Sequence, residues 1–325
     1  MTEPLALFGT GVYLPPAHPV RDVVRRAGGD PSNYKGWDRV CLASADDHPS
    51  SMGARALQLA LDDAALDPAQ LKLVIFAGMS RDYLPSYSVA TEIIQQCDGP
   101  GDCIGLDITI GCLGALAALD MVQGWLAQRG GGVAAVVAAE RWSYTVDHAS
   151  QASFGLWAHA DGAAAAVLGM HSAHAARGAY LGAEFVSQAD LNGSVLIKYG
   201  GTRHPVAPPG VNPAEREILD LPGIDRRERY AMGYSASLQA LQRRFDVRPD
   251  KVICNQTTML FLPLIASVIG IPIENFLITG HETGHVGSAD LLIGLDRLIN
   301  SGGLTEPVLM AGSTPYAFGS GLLMP

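Results

Sequence analysis

The chain carries little charge. Asp, Glu, Lys and Arg together make up 17% of its 325 residues, and acidic side chains outnumber basic ones for a net charge of −10. Without a basic surplus there is no face to neutralise phosphates, which argues against nucleic acid or an anionic membrane surface as a partner. Cysteine is sparse as well. The five (Cys41, Cys97, Cys103, Cys112, Cys254) are odd in number and include no CxxC pair, so a disulfide framework is excluded and a reducing compartment is expected. No apolar run reaches the roughly 18 residues of a membrane span. The opening Met1-Thr2-Glu3-Pro4 lacks the basic and apolar stretches of a signal peptide, so the expected location is the cytoplasm.

What is present is apolar and small. Hydrophobic residues reach 48%, glycines number 37, and the length allows one large or two medium domains. Such a chain buries much of its surface and is expected to oligomerise. Continuous apolar runs at Leu71–Gly78, Leu106–Ile110 and Val133–Ala139 predict strands buried on both faces. Leu5–Leu14 and the run after Gly162 add two more. Ser51–Asp63, Ser88–Gln96 and the Ala/Leu-rich run after Gly114 predict helices. Residues 171–229 are irregular, with strand-like pieces at Tyr180–Phe185 and Ser194–Lys198 before a proline cluster, and are expected to form a connector with a lid-like excursion. Beyond it, helices are predicted over Met232–Phe245, Leu260–Ile269 and Ser288–Asn300, and strands at Lys251–Asn255, Phe276–Ile278, Pro307–Ala311 and Gly319–Met324.

The two halves repeat one pattern. Leu71–Ser80 followed by a helix corresponds to Lys251–Thr258 followed by a helix, and the helix–strand pairs around Cys112–Ala139 and Ala289–Ala311 also correspond. The expected organisation is therefore an α/β protein built from two duplicated αβ halves, 1–169 and 170–325.

One cysteine stands where a strand hands over to a helix, in Leu106-Asp107-Ile108-Thr109-Ile110-Gly111-Cys112-Leu113-Gly114. Backbone N–H groups at a helix start carry partial positive charge and favour a thiolate. A small apolar residue packed inside fits the same stretch. A rival motif is His281-Glu282-Thr283-Gly284-His285, a literal H-E-x-x-H in which zinc would need both histidines on one helical face. Gly280, Gly284 and Gly287 bracket it, and at about 1 kcal/mol each they make a helix there improbable. No metal site is expected. His159 is expected to pack behind the cysteine corner, Cys254 to sit in the core, and Glu140-Arg141-Trp142 to form a buried ion pair or line a tunnel.

These pieces together resemble the β-ketoacyl-ACP synthase III group of thiolase-fold condensing enzymes. The likeness rests on the Gly111-Cys112-Leu113-Gly114 corner and on His159-Ala160-Asp161-Gly162-Ala163-Ala164, where the group has FGDGAG. It rests also on Cys254-Asn255-Gln256-Thr257-Thr258 for its P-H-Q-A-N, Gly284-His285-Val286-Gly287-Ser288-Ala289 for its G-N-T-S-A-A, and the closing Tyr316–Gly321. The resemblance implies a thiolase-like fold in a layered α-β-α-β-α arrangement, a homodimer in which Pro85–Ile94 shapes the partner's pocket, and Cys112 as nucleophile.

The departures are informative. In the group a Cys works with a His and an Asn that hold the thioester carbonyl during decarboxylation. Here the His position holds Asn255 and the Asn position holds His285, with Asp290 five residues on at a helix start. Cys112, His285 and Asp290 then read as nucleophile, base and orienting acid. That resembles the branch of synthase-III-like acyltransferases in polyketide and antibiotic pathways, which move an intact acyl group to a hydroxyl or another carrier. A condensing or starter-loading enzyme is the alternative, and a non-catalytic subunit of a condensing complex is disfavoured by the retained Cys112 and base. Asn255 is expected to orient the acyl carbonyl or the acceptor. Thr314, in the Gly312-Ser313-Thr314-Pro315 that replaces a glycine-rich loop, is expected to lend its N–H to an oxyanion hole with that of Cys112. Cys41 and Ser153 stand where the group has basic residues for the CoA nucleotide, with Arg39 and Arg141 near, which favours an acyl carrier protein over CoA as donor. No cofactor is expected. The acyl group and the acceptor, a small molecule, would both be selected by Tyr144–Trp157 and Leu191–Arg229.

Overall fold

The computed structural model describes residues 3–84 and 86–325. Pro85, at the start of the segment expected to reach a partner's pocket, lies outside the described residues, as do Met1 and Thr2 of the N-terminus read above. The first half runs β1 (Leu5–Tyr13), β2 (Ala17–Pro19), α1 (Val20–Arg26), β3 (Arg39–Cys41), α2 (Pro49–Asp63), β4 (Leu71–Ala77), α3 (Val89–Gln96), β5 (Ile104–Ile108), α4 (Gly114–Ala127), β6 (Gly132–Arg141) and β7 (Asp161–Met170). The second runs β8 (Gly178–Ser187), β9 (Val195–Ile197), β10 (Arg216–Ile218), α5 (Arg226–Arg244), β11 (Lys251–Cys254), α6 (Leu262–Ile269), β12 (Phe276–Leu277), the single turn α7 (Gly280–Thr283), α8 (Ala289–Asn300), β13 (Val308–Thr314) and β14 (Ala317–Met324).

The long strands join one mixed sheet in the order β12-β11-β13-β14-β8-β1-β7-β6-β4-β5. Within each half the order from the outer edge is third, second, fourth, fifth, first, so the sheet reads the same from both ends. The central pairs of each half are parallel (β4 with β5 and β6; β11 with β12 and β13), and the returning strands are antiparallel. Helices α4 and α8 touch strands of both halves and each other. Helices α2 and α3 cover the outer face of one half, and α5 that of the other. The result is the layered α-β-α-β-α arrangement. Strand β7 shows the consequence for composition: covered on both faces, all ten of its residues are buried, and an Ala/Val run suits it better than an alternating one. No helix among the described residues is long and apolar enough to cross a membrane.

Three local expectations are corrected. The run before Cys112 is not a strand buried on both faces: β5 ends the sheet, has a neighbour only in β4, and leaves every residue at least partly accessible. Tyr180–Phe185 is no part of an irregular connector but the middle of β8, which pairs with β1 on one side and β14 on the other. Those ladders join residues more than a hundred positions apart, so no local pattern announces them. Helix α5 begins at Arg226 rather than Met232, because the Asp225 side chain accepts from the N–H groups of Arg227 and Glu228 and caps the first turn.

Candidate active site

The third strand of each half delivers one side of the site. Past the end of β5 the chain turns at Gly111, whose φ of 55° lies in the left-handed region, and a 3-10 turn over Gly111–Leu113 leads into α4. A Cβ on Gly111 would stand 2.3 Å from Oγ1 of Thr314, so only glycine lets the two loops meet here. Leu113 is fully buried and anchors the corner, while Cys112 stays accessible to the cavity beside it. The thiol is thus presented two residues ahead of a helix N-terminus.

Past β12 the chain makes the turn α7 and stops it at Gly284, with φ 77°. His285 then bridges His159: its N–H donates to Ala158 O at 2.8 Å, and its carbonyl accepts from Ala160 N–H at 2.8 Å. Nε2 of His285 lies 3.5 Å from Sγ of Cys112, and Nδ1 lies 2.5 Å from Oδ2 of Asp290. Both oxygens of Asp290 are further fixed, Oδ2 by Gln256 N–H at 2.7 Å and Oδ1 by Val286 N–H at 2.8 Å. Burial alone would pull the imidazole down, but Asp290 and Cys112 outweigh it and hold His285 up at about 10, against an ordinary 6.5. A carboxylate on Nδ1 also fixes the tautomer and turns Nε2 toward the sulfur.

The same geometry disposes of the zinc reading. Gly284 breaks the helix between the two histidines. His281 is half exposed and pairs with Asp38, whereas His285 is buried on Asp290. Among the described residues no group of three or more His, Cys, Asp or Glu side chains is placed to hold a metal ion.

Asn255 is buried at 1% exposure, and its amide is spent on backbone. Nδ2 donates to the carbonyls of Cys112 (3.0 Å) and Gly287 (3.1 Å), and Oδ1 accepts from Ser313 N–H (2.9 Å). An amide has two donors and one acceptor group, so nothing is left to orient an acyl carbonyl. The expectation that Asn255 meets the substrate is corrected: it ties together the loops that carry Cys112, His285 and Thr314. Thr314 is the last residue of β13, faces Ala317 across the Pro315-Tyr316 turn, and lines the cavity against Gly111.

The cavity measures about 390 Å³. Trp142, Tyr144 and Leu156 come from the segment after β6, and Leu196, Arg216 and Ile218 from the small β9–β10 ribbon that roofs it. The two segments expected to select substrate therefore supply the wall. Glu140 is fully buried and accepts from Met79 N–H, Ser80 N–H and Ser80 Oγ, which holds the β4 exit loop in place. Arg141 turns away to Ser44 O and His48, and Arg39 to Ala17 O. Cys41 is a core residue whose thiol burial pushes up to about 11, and Cys254 is fully buried.

Arg216 went unseen in the sequence. It is 5% exposed, donates through Nη2 to Nδ1 of His159 at 2.8 Å, and stacks over Trp142 at 4.3 Å. Because a guanidinium only donates, Nδ1 of His159 must accept, and burial, Arg216 and His285 together hold that ring well below the usual histidine range, neutral. His159 therefore packs behind the corner and also links His285 to Arg216, stacked on Trp142 and edge-on to His285. The Arg216 position lies in a polar, proline-rich stretch without periodicity, which carries no local sign of burial.

Comparison with known proteins bears on the fold and the family likeness. Residues 106–188 match the family 3-oxoacyl-[acyl-carrier-protein (ACP)] synthase III. Over 301 residues the chain is 26% identical to β-ketoacyl-[acyl-carrier-protein] synthase III of Streptomyces lividans, covering 86% of this chain and 80% of that one. The corresponding protein of Methylococcus capsulatus is 27% identical over 339 residues, 98% of each chain. Among solved structures, 3-oxoacyl-[acyl-carrier-protein] synthase III of Aquifex aeolicus superposes with a TM-score of 0.82 at 20% identity, covering 99% of this chain and 100% of that one. OleA of Xanthomonas campestris gives 0.83 at 17%, covering 100% and 99%.

Proposed function

We propose that this chain, a synthase III-like enzyme with the thiolase fold, is an acyltransferase that passes an intact acyl group through an acyl-Cys112 intermediate to an acceptor hydroxyl or another carrier. The observation that carries the reading is the continuous line from Cys112 Sγ through His285 to Asp290. The Cys112 thiolate attacks the donor thioester carbonyl, and the tetrahedral oxyanion is held by the N–H groups of Cys112 and Thr314. The C–S bond to the donor breaks, and the departing thiolate takes the proton from His285. Acylation removes the charge on sulfur that helped hold the imidazole up, so the ring becomes a base. The acceptor hydroxyl then gives its proton to Nε2, its oxygen bonds the acyl carbon, and the Cys112 thiolate leaves. Asp290 fixes the ring throughout. Asn255 positions the loops.

The donor is read as an acyl carrier protein thioester, with CoA as alternative, since Arg39 and Arg141 are engaged with backbone. A sugar or polyketide hydroxyl is the acceptor class. A homodimer across β5 fits the open, partly apolar edge with Ile104 49% exposed. The condensing alternative draws on the names of the relatives. Intact-protein mass spectrometry with donor, followed by a chase, tests both. Acyl on Cys112 and an ester product are expected, whereas carbon dioxide release with a new carbon–carbon bond would sink the transferase reading. Unchanged activity in Cys112→Ala and His285→Ala would sink both.

A further inference from the structure

A second imidazole, His159, lines the cavity with Cys112 and His285. A neighbour fixes where its proton sits. Nδ1 lies 2.8 Å from Nη2 of Arg216, and a guanidinium only donates, so Nδ1 accepts and the ring's single proton is on Nε2. That N–H has no hydrogen-bond partner among the described residues and is not sealed in the interior, so it is open to the cavity. His285 is equipped the opposite way. Its Nδ1 faces the Asp290 carboxylate, so once the ring is neutral its proton stays there and Nε2 offers a lone pair. The two rings stand edge to face with centroids 4.8 Å apart. The bridge between their backbones holds this spacing, and Trp142 stacks on His159 at 4.9 Å and meets His285 edge-on at 5.1 Å. A donor and an acceptor so placed suit one oxygen between them, at about 2.7–3.2 Å from each nitrogen.

We propose that His159 holds the acceptor hydroxyl: its Nε2–H donates to the acceptor oxygen and so aims that oxygen's own proton at Nε2 of His285. This rests on the transferase reading and deepens it by naming a residue that selects the acceptor. In the step, the O–H proton passes to His285 Nε2 and the oxygen bonds the acyl carbon. The C–S bond to Cys112 breaks, and its electron pair stays on sulfur. His159 keeps its proton throughout. It is a fixed donor and not a second base, since burial and the charge of Arg216 keep the ring neutral. A hydroxyl both accepts and donates, so it can bridge the two nitrogens. An ammonium has no lone pair to receive the His159 bond, and sulfur accepts only weakly. The pair of imidazoles therefore favours oxygen acceptors over amines and thiols.

The test loads Cys112 from propionyl-pantetheine, the thioester arm shared by carrier protein and CoA, and chases the acyl-enzyme with two kinds of acceptor. Glycerol and water are the hydroxyls, and N-acetylcysteamine is the thiol. Intact-protein mass spectrometry reads the loss of the acyl group. Both rates come from the same acyl-enzyme, so a change in loading cancels in their ratio. In His159→Phe the hydroxyl-to-thiol ratio is expected to fall by about 10- to 100-fold, the span of one buried hydrogen bond. His159→Gln keeps an N–H near the same place and should recover part of it. An unchanged ratio in His159→Phe, or hydroxyl and thiol rates that fall together, would overturn the proposal and leave the transferase reading standing. So would a wild-type acyl-enzyme that passes its acyl group to the thiol but to neither hydroxyl. No acyl group on wild-type Cys112 would remove the transferase reading itself, and this proposal with it. An acyl-enzyme peak in His159→Phe shows that the variant folds.

Discussion

His285 and Arg216 are buried basic side chains on the same cavity and differ in what neutralises them. His285 has Asp290 on one nitrogen and Cys112 near the other, and the carboxylate is itself held by two backbone N–H groups. Arg216 has a neutral ring, an indole face and an unpartnered Nε. Burial draws both down, yet His285 ends up raised while Arg216 ends up lowered, to about 10. The lesson is one of self-sufficiency. A counter-ion in hydrogen-bond contact overcomes the cost of burial at His285, whereas the charges of Cys112 and Glu140 act on Arg216 only through space and do not.

That contrast can be broken most severely at the sulfur. Cys112→Ala should abolish the acyl-enzyme peak outright, and His285→Ala should slow loading by roughly 10² to 10⁴-fold in a stopped time course. Asp290→Asn comes next: it leaves the ring in place but removes the charge and one acceptor, with loading expected to fall by on the order of 10²-fold. Its second signature is pH. In the wild type the His285 contribution to stability is fully present below the unfolded value near 6.5 and is lost as pH rises through about 10, because the folded-state proton is held more tightly than the unfolded one. Thermal melts across that window should show the decline in the wild type and a flatter profile in Asp290→Asn.

A smaller effect is expected at Asn255. Asn255→Ala strands Ser313 N–H and two carbonyls in the interior, so a stability loss of about 1–3 kcal/mol is expected from denaturant melts, with loading reduced through the displaced corner. The smallest, and opposite in sign, is Arg216→Leu. Removing a buried cation that no carboxylate contacts outweighs the hydrogen bond lost by His159, so the melting point should hold or rise by the equivalent of about 1 kcal/mol. A large fall there would place Arg216 with His285 among the self-sufficient groups.

Much of the site was legible through the resemblance to the synthase III group, whose motif positions fall beside structural punctuation. Cys112 follows Gly111 at the end of an apolar run, and Gly284 breaks the chain just before His285, five residues ahead of Asp290. Asn255 was legible as a site position, but its role was misjudged: facing substrate or facing backbone depends on what lies across the loop, and Ser313 is 58 positions away. Arg216 had no signature at all. Its burial comes from a three-residue ribbon and from Trp142 and His159, none of them neighbours in the chain.

The sequence by itself determined the α/β character and the repeated pattern in the two halves, because apolar periodicity and glycine placement act over a few positions, and its resemblance to the synthase III group pointed to Cys112, His285 and Asp290. Only the tertiary structure decided that β5 is an edge, that β8 is central, that Asn255 faces backbone, and that one arginine stands buried with no carboxylate in contact. These depend on which surfaces meet across the layers. Burial and pairing are properties of both partners at once, and a single stretch of chain holds only one of them.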